Sequence, residues 1–160
     1  MDIKNLKALV KEIVKMATKL KNKHTDEKNA PVNYACIFSQ SRQEYEGLIK
    51  VVKKIGTVAQ ETPMGPVYNI IPIDTVSGKL GLLKIRLPDI WRPERGDADF
   101  TVSNYTVFKK RYLPKKGFKL IKREYFEMIE LADADFNVLA YFSHPTLEVV
   151  LDLKSGRQKI

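Results

Sequence analysis

The order of secondary-structure signals occurs twice in this chain, and a repeat of that size limits the fold more than any single residue does. After Pro31, the run 32–38 is apolar enough for a mostly buried strand. Ser39 or Ser41 can cap a helix carried by Tyr45, Leu48, Ile49, Val52 and Ile55 and closed by Gly56. Three strand-like runs follow at 57–61, 66–73 and 80–87, with turns supplied by Pro63-Met64-Gly65 and Ser77-Gly78. The series then returns: a strand at 98–102, a short helix over 105–113 stopped by Pro114 and Gly117, and strands at 118–122, 125–131 and 136–142. Tyr34 lies 22 residues before Gly56 and Asp97 lies 20 before Gly117, so the two halves keep nearly one spacing.

This order predicts an α+β protein of two βαβββ modules, 31–88 and 97–153, forming curved sheets around a cleft. The connector 88–96 is too short to separate independent domains, and a half of about 60 residues would bury only a thin core alone. The expectation is one domain over 31–160, preceded by a helix and linker over 1–30. In the whole chain of 160 residues, 44% are hydrophobic and 29% charged, and a core of that size needs no disulfide or metal for stability.

Ile3, Leu6, Leu9, Val10, Ile13, Val14, Ala17 and Leu20 fall on one helical arc, and Lys4, Lys7, Lys11 and Lys15 on the opposite one. The spacing predicts an amphipathic helix over 2–22. Its apolar arc holds small aliphatics without Trp or Phe, which favours packing on the domain over lying on a membrane or along phosphates. Residues 22–30 read as a linker, with His24 exposed. Lysines through the first twenty residues are unlike a signal peptide, and no run of about 18 apolar residues could span a bilayer. The single cysteine, Cys36, excludes an internal disulfide. These features predict a cytoplasmic protein with no membrane partner, and they leave the oligomeric state open.

Net charge is +9, from 28 Lys and Arg against 19 Asp and Glu. Much of the excess sits in Lys109, Lys110, Arg111, Lys115, Lys116, Lys119, Lys122 and Arg123, interleaved with Tyr112 and Phe118. Such a patch suits nucleic acid through counterion release and base stacking. The acidic residues Glu124, Glu127, Glu130, Asp133 and Asp135 follow at once and would neutralise it, so a nucleic-acid-binding accessory role is the lesser expectation. No Gly-rich phosphate loop, nucleophile elbow, paired-cysteine zinc motif or HExxH string occurs. Cys36 reads as a small core residue, a nucleophile only if a base such as His144 came near; His144 reads as exposed.

Strand residues two apart share a side, so Asp97 and Asp99 point together while Ala98, Phe100 and Val102 face the helices. By the same alternation, Tyr34, Cys36 and Phe38 share a face. If the modules pair, an Arg, two carboxylates and a phenol converge on one partly apolar cleft. Either they bind a ligand or Arg86 and the aspartates form a structural ion pair.

Paired βαβββ modules resemble the vicinal-oxygen-chelate superfamily, the fold of glyoxalase I and extradiol dioxygenases. Within it, residues 31–151 look closest to a small bacterial group of proposed metal-binding proteins, the YecM-like group. The resemblance rests on the strand around Tyr34, Ile85-Arg86-Leu87-Pro88, Asp97-Ala98-Asp99-Phe100, and Tyr141-Phe142-Ser143-His144-Pro145 with Leu147. It implies a curved sheet in each module and a cleft where members usually hold a divalent metal, with His at the position matching Tyr34, Glu at Arg86, and His then Glu at Asp97 and Asp99. This sequence departs at all four. Tyr is a poor ligand for most divalent ions and Arg offers no lone pair. The expectation is therefore a small-molecule-binding protein without a working metal site and without a cofactor. Its ligand is anionic or zwitterionic: Arg86 is the anion partner, Tyr34 a donor, and Asp97 and Asp99 acceptors or counter-charges. The alternative from the enzyme class is a metal-dependent lyase, isomerase or dioxygenase holding a divalent ion on Asp97, Asp99 and Glu127.

Overall fold

The aliphatic arc that predicts the first helix is the arc it buries. In the computed structural model, helix α1 (Ile3–His24) buries Leu6, Val10, Ile13, Val14, Ala17 and Leu20. Asp2 caps it by accepting from the Asn5 N–H. The structure describes residues 1–155, with side chains through Asp152; residues 156–160 of the expected 31–160 domain lie outside the described residues. His24 is not in an exposed linker. It ends α1, half-buried, with its Nε2 2.8 Å from Asp133 Oδ2.

Strand β1 (Val32–Phe38) leads to α2 (Arg42–Val52), capped by Ser41, and then to β2 (Gly56–Gln60), β3 (Val67–Thr75) and β4 (Gly78–Arg86). Strand β5 (Gly96–Phe100) leads to α3 (Tyr105–Tyr112), capped by Asn104, and to β6 (Phe118–Lys122), β7 (Glu127–Leu131) and β8 (Val138–His144). A last helix, α4 (Leu147–Ser155), has no counterpart among the expected elements.

The expected sheet for each half is here one sheet of eight strands, in the order β2-β3-β4-β1-β5-β8-β7-β6. Strands β1 and β4 run parallel, as do β5 and β8; the remaining neighbours are antiparallel. The halves meet through the antiparallel pair β1–β5, where Ala35 stands opposite Ala98 and Cys36 opposite Asp97. Alternation then sorts the side chains. Ala35, Ile37, Ala98, Phe100, Ala140 and Phe142 go to the face covered by α1, α2 and α3, where Phe108 of α3 packs on Phe142 at 4.5 Å between ring centroids. Cys36, Phe38, Leu139 and Tyr141 go to the other face and form a smaller apolar cluster with Ile121 and Met128. Among the described residues, no helix is long and apolar enough to cross a membrane.

Candidate functional site

Ladder register decides which side chains meet on this second face. Across β1–β5, Tyr34 stands opposite Asp99 and Cys36 opposite Asp97. Strand β4 sets Lys84 beside Cys36 and Arg86 beside Phe38, and β8 sets Leu139 beside Asp97 and Tyr141 beside Asp99. Paired residues in a ladder project to the same side. Tyr34, Arg86, Asp97 and Asp99 accordingly line one cavity of about 400 Å³, walled on its apolar side by Met64, Phe126, Met128, Leu147 and Val150. A shallower depression of about 680 Å³ lies between β2–β4 and α4, and none of those four residues lines it.

Burial, reinforced by the charge of Asp99, lifts the Asp97 carboxyl to about 8; Lys84 and Arg86 pull the other way. Asp97 is 8% exposed and its Oδ1 has no hydrogen-bond partner. Asp99 is lifted to about 6, again by burial. It is held lower than Asp97 because it accepts from the Ser143 hydroxyl, from the Ser143 backbone N–H at 3.3 Å and from the Asn33 amide at 3.1 Å. At pH 7 Asp97 therefore keeps its proton for the most part while Asp99 has largely lost its own. Burial, with Cys36 and Asp97 nearby, pushes the Tyr34 phenol well above its ordinary value and leaves it a donor. Burial beside Asp97 likewise raises the Cys36 thiol, which opposes thiolate formation.

Arg86 does not pair with the aspartates. Its Nη2 donates to Asp89 Oδ2 at 3.1 Å, in the connector, and its guanidinium lies 5.0 Å from the Phe38 ring centroid. Its Nε is buried and without a partner. A structural ion pair between Arg86 and Asp97 or Asp99 is thus replaced by an i,i+3 pair with a connector residue. Three further cations, Lys84, Arg92 and Arg123, line the same cavity and were not expected there, Arg123 having been read as part of the basic cluster. Arg92 donates to Glu130 Oε2 at 3.4 Å, and that same oxygen accepts from the Tyr141 hydroxyl at 2.6 Å. Lys84 was legible as a residue two before Arg86 on one strand, whereas Arg92 and Arg123 sit outside the strands, where no periodicity points anywhere.

The three-carboxylate set of the enzyme reading is not assembled. Met128 stands beside Ser143 on the cavity face, so Glu127, one residue earlier and opposite His144, projects to the other side of the sheet. There it accepts from Tyr105 and Lys109, each at 2.7 Å. His144 stacks on Tyr105 at 4.8 Å, also across the sheet from Cys36, so these two do not form a thiol–base pair. Among the described residues, no group of three or more His, Cys, Asp or Glu could hold a metal ion.

The basic cluster is partly paired. Lys109 meets Glu127, and Arg111 meets Asp26 in the loop after α1. Tyr112 is buried and its hydroxyl accepts from the Asp26 N–H at 2.9 Å, while Phe118 packs against the core. Neither ring is presented for base stacking. Lys110, Lys115 and Lys116 are exposed.

No protein-family model and no curated protein matches the chain. Among solved structures, a structural-genomics protein designated EC4020 superposes with a TM-score of 0.71 over 92% of this chain and 90% of its own, at 8% identity. At that identity the likeness is one of fold.

Proposed function

We propose that the chain is a small-molecule-binding protein of vicinal-oxygen-chelate type, and that its cavity takes an anionic ligand on Arg86. Two features support the superfamily reading: each half runs strand, helix and three strands, and the first strand of each half lies parallel to its last. The observation that carries the ligand reading is the Arg86 guanidinium, which borders a cavity of about 400 Å³ lined also by Lys84, Arg92 and Arg123. Four cations around one partly apolar cavity favour an anion, and a hydrogen bond to a charged group contributes on the order of 1.5–3 kcal/mol. Tyr34 donates from the β1 side, and protonated Asp97 adds a second donor for the anion. Metal-site positions of the superfamily carry a phenol and a guanidinium in this chain, and binding in place of metal chemistry follows from that substitution.

The test is thermal unfolding with a panel of small carboxylates and phosphates. A ligand at a hundred times its dissociation constant adds about 2.7 kcal/mol to stability. At least one compound is expected to raise the midpoint by several degrees, and Arg86→Ala is expected to remove most of that rise. No shift with any member of the panel would overturn the proposal.

A further inference from the structure

We propose that the lysine face of α1, with the end of α2 beside it, binds the phosphate backbone of duplex nucleic acid without regard to sequence. The aliphatic arc of α1 packs on the sheet, so the opposite arc is turned outward. Along that outer arc run Lys4, Lys7, Lys11, Lys15 and Lys19, at intervals of three or four residues, which stacks them into one ridge. Four of the five are exposed and Lys7 is half-buried. Among the described residues none of the five is in an ion pair, although Lys23 near the end of the same helix pairs with Asp133.

Opposing charge is sparse along this surface. Helix α1 holds one acid, Glu12, on the flank of the ridge, and Asp2 before it is engaged in capping. On α2, which packs beside α1, Glu44 is held by Arg95 and Glu46 by Arg42. Lys50, Lys53 and Lys54, at the end of α2, are exposed and take no part in these pairs. Asp74 of the β3–β4 hairpin lies near Lys11, but its carboxylate is bonded to Lys79 at 2.8 Å. Like charges four residues apart disfavour a helix, and bound phosphates relieve that repulsion.

The form of the partner follows from what the ridge holds and lacks. It carries no aromatic ring, and the exposed rings of the described residues, Trp91 and Tyr125, stand in the 88–96 connector and the β6–β7 turn, so unpaired bases find no stacking platform on it. A membrane is disfavoured because Leu6, Val10, Ile13, Val14, Ala17 and Leu20 are committed to the core, which leaves α1 no apolar arc to insert. What remains is positive charge in a line. At 1.5 Å per residue the ridge spans about 22 Å, and one strand of a B-form duplex presents about six phosphates over that length. The cavity lies on the other face of the sheet, so this surface and the Arg86 site are separate.

Fluorescence anisotropy of the full chain against labelled DNA duplexes of about 20 base pairs tests this. Micromolar affinity is expected at about 50 mM salt, falling roughly 500-fold by about 200 mM as five neutralised phosphates require. Two duplexes of unrelated sequence are expected to bind within about three-fold of each other. Lys4→Gln, Lys11→Gln and Lys15→Gln combined are expected to cut the fall with salt to roughly 12-fold, whereas Lys110→Gln, Lys115→Gln and Lys116→Gln combined leave it unchanged. No binding to either duplex at the lower salt would overturn the proposal. So would tighter binding of a single strand of the same length, binding confined to vesicles of phosphatidylcholine with about a third phosphatidylserine, or a salt response that follows Lys110, Lys115 and Lys116 instead. Affinity and salt response of the unaltered protein are read without any variant, and their failure leaves the Arg86 cavity standing.

Discussion

Asp97 keeps a proton that the unfolded chain gives up, which ties one residue to the stability of the whole. Its folded value of about 8 stands above the ordinary 3.8. Below pH 4 both states hold the proton and nothing is lost. Between about pH 4 and 8 the folded state holds more protons than the unfolded one, so stability falls as pH rises, and the loss levels off above 8. Asp99, at about 6, contributes with the same sign between about pH 4 and 6. Asp97→Asn keeps the shape without the proton. Its predicted effect is a gain of a few kcal/mol at pH 8, since each unit of displacement is worth about 1.4 kcal/mol, and almost none at pH 4. Urea unfolding at both pH values measures it, and an equal effect at the two would contradict the account. Strand alternation made the shared orientation of Asp97 and Asp99 readable from sequence, because a period of two needs no tertiary knowledge. The partner of Arg86 was not readable: Asp89 lies in a connector whose path only the fold decides. Lys21 is another such case. On a lysine-striped helix it alone is fully buried, its ammonium bonded to Asn22 and the Glu27 carbonyl above the Phe100 ring.

Elements were legible where they carry their own signals. The aliphatic arc set α1, the Ser41 cap set the start of α2, and the run 118–122 coincides with β6. Strand β5 begins two residues before the expected strand, at Gly96, because a glycine beside a proline-containing connector reads as a turn. In the fold it is a point of close approach. A Cβ there would meet the Cys36 carbonyl oxygen at 2.3 Å and Ile13 Cδ1 at 2.9 Å, at the seam where β1 joins β5 under α1. Gly96→Ala is therefore predicted to cost about 2–3 kcal/mol through overpacking against backbone that cannot move aside. A urea midpoint unchanged from the parent would contradict this. Helix α4 went unseen because its nine residues give little more than two turns of pattern, although Leu147, Val150 and Leu151 stand at i, i+3 and i+4. Leu147 and Val150 line the cavity, and tertiary contact there overrides local preference.

For the molecule as a whole, the cavity depends on one pairing that joins distant parts of the sequence. Tyr34 and Arg86 come from one half and Asp97 and Asp99 from the other, and only the β1–β5 ladder sets them on a common face. The strand runs were visible in the sequence, but which strand edges would join was not, since edge pairing is a long-range choice among similar candidates. The basic cluster shows the same limit. Its charges were plain, yet Arg111 pairs with Asp26, 85 positions away, rather than with the acidic stretch that follows it. Amide and side-chain NMR of the full chain, titrated with the small carboxylates and phosphates named above, tests the central claim most directly. The predicted result is saturable shifts at Tyr34, Cys36, Asp97, Asp99, Tyr141 and Ser143, with the largest side-chain change at Arg86 Nε, and little at residues 109–116 across the sheet. Saturable shifts confined to residues 109–123, or none anywhere, would contradict it.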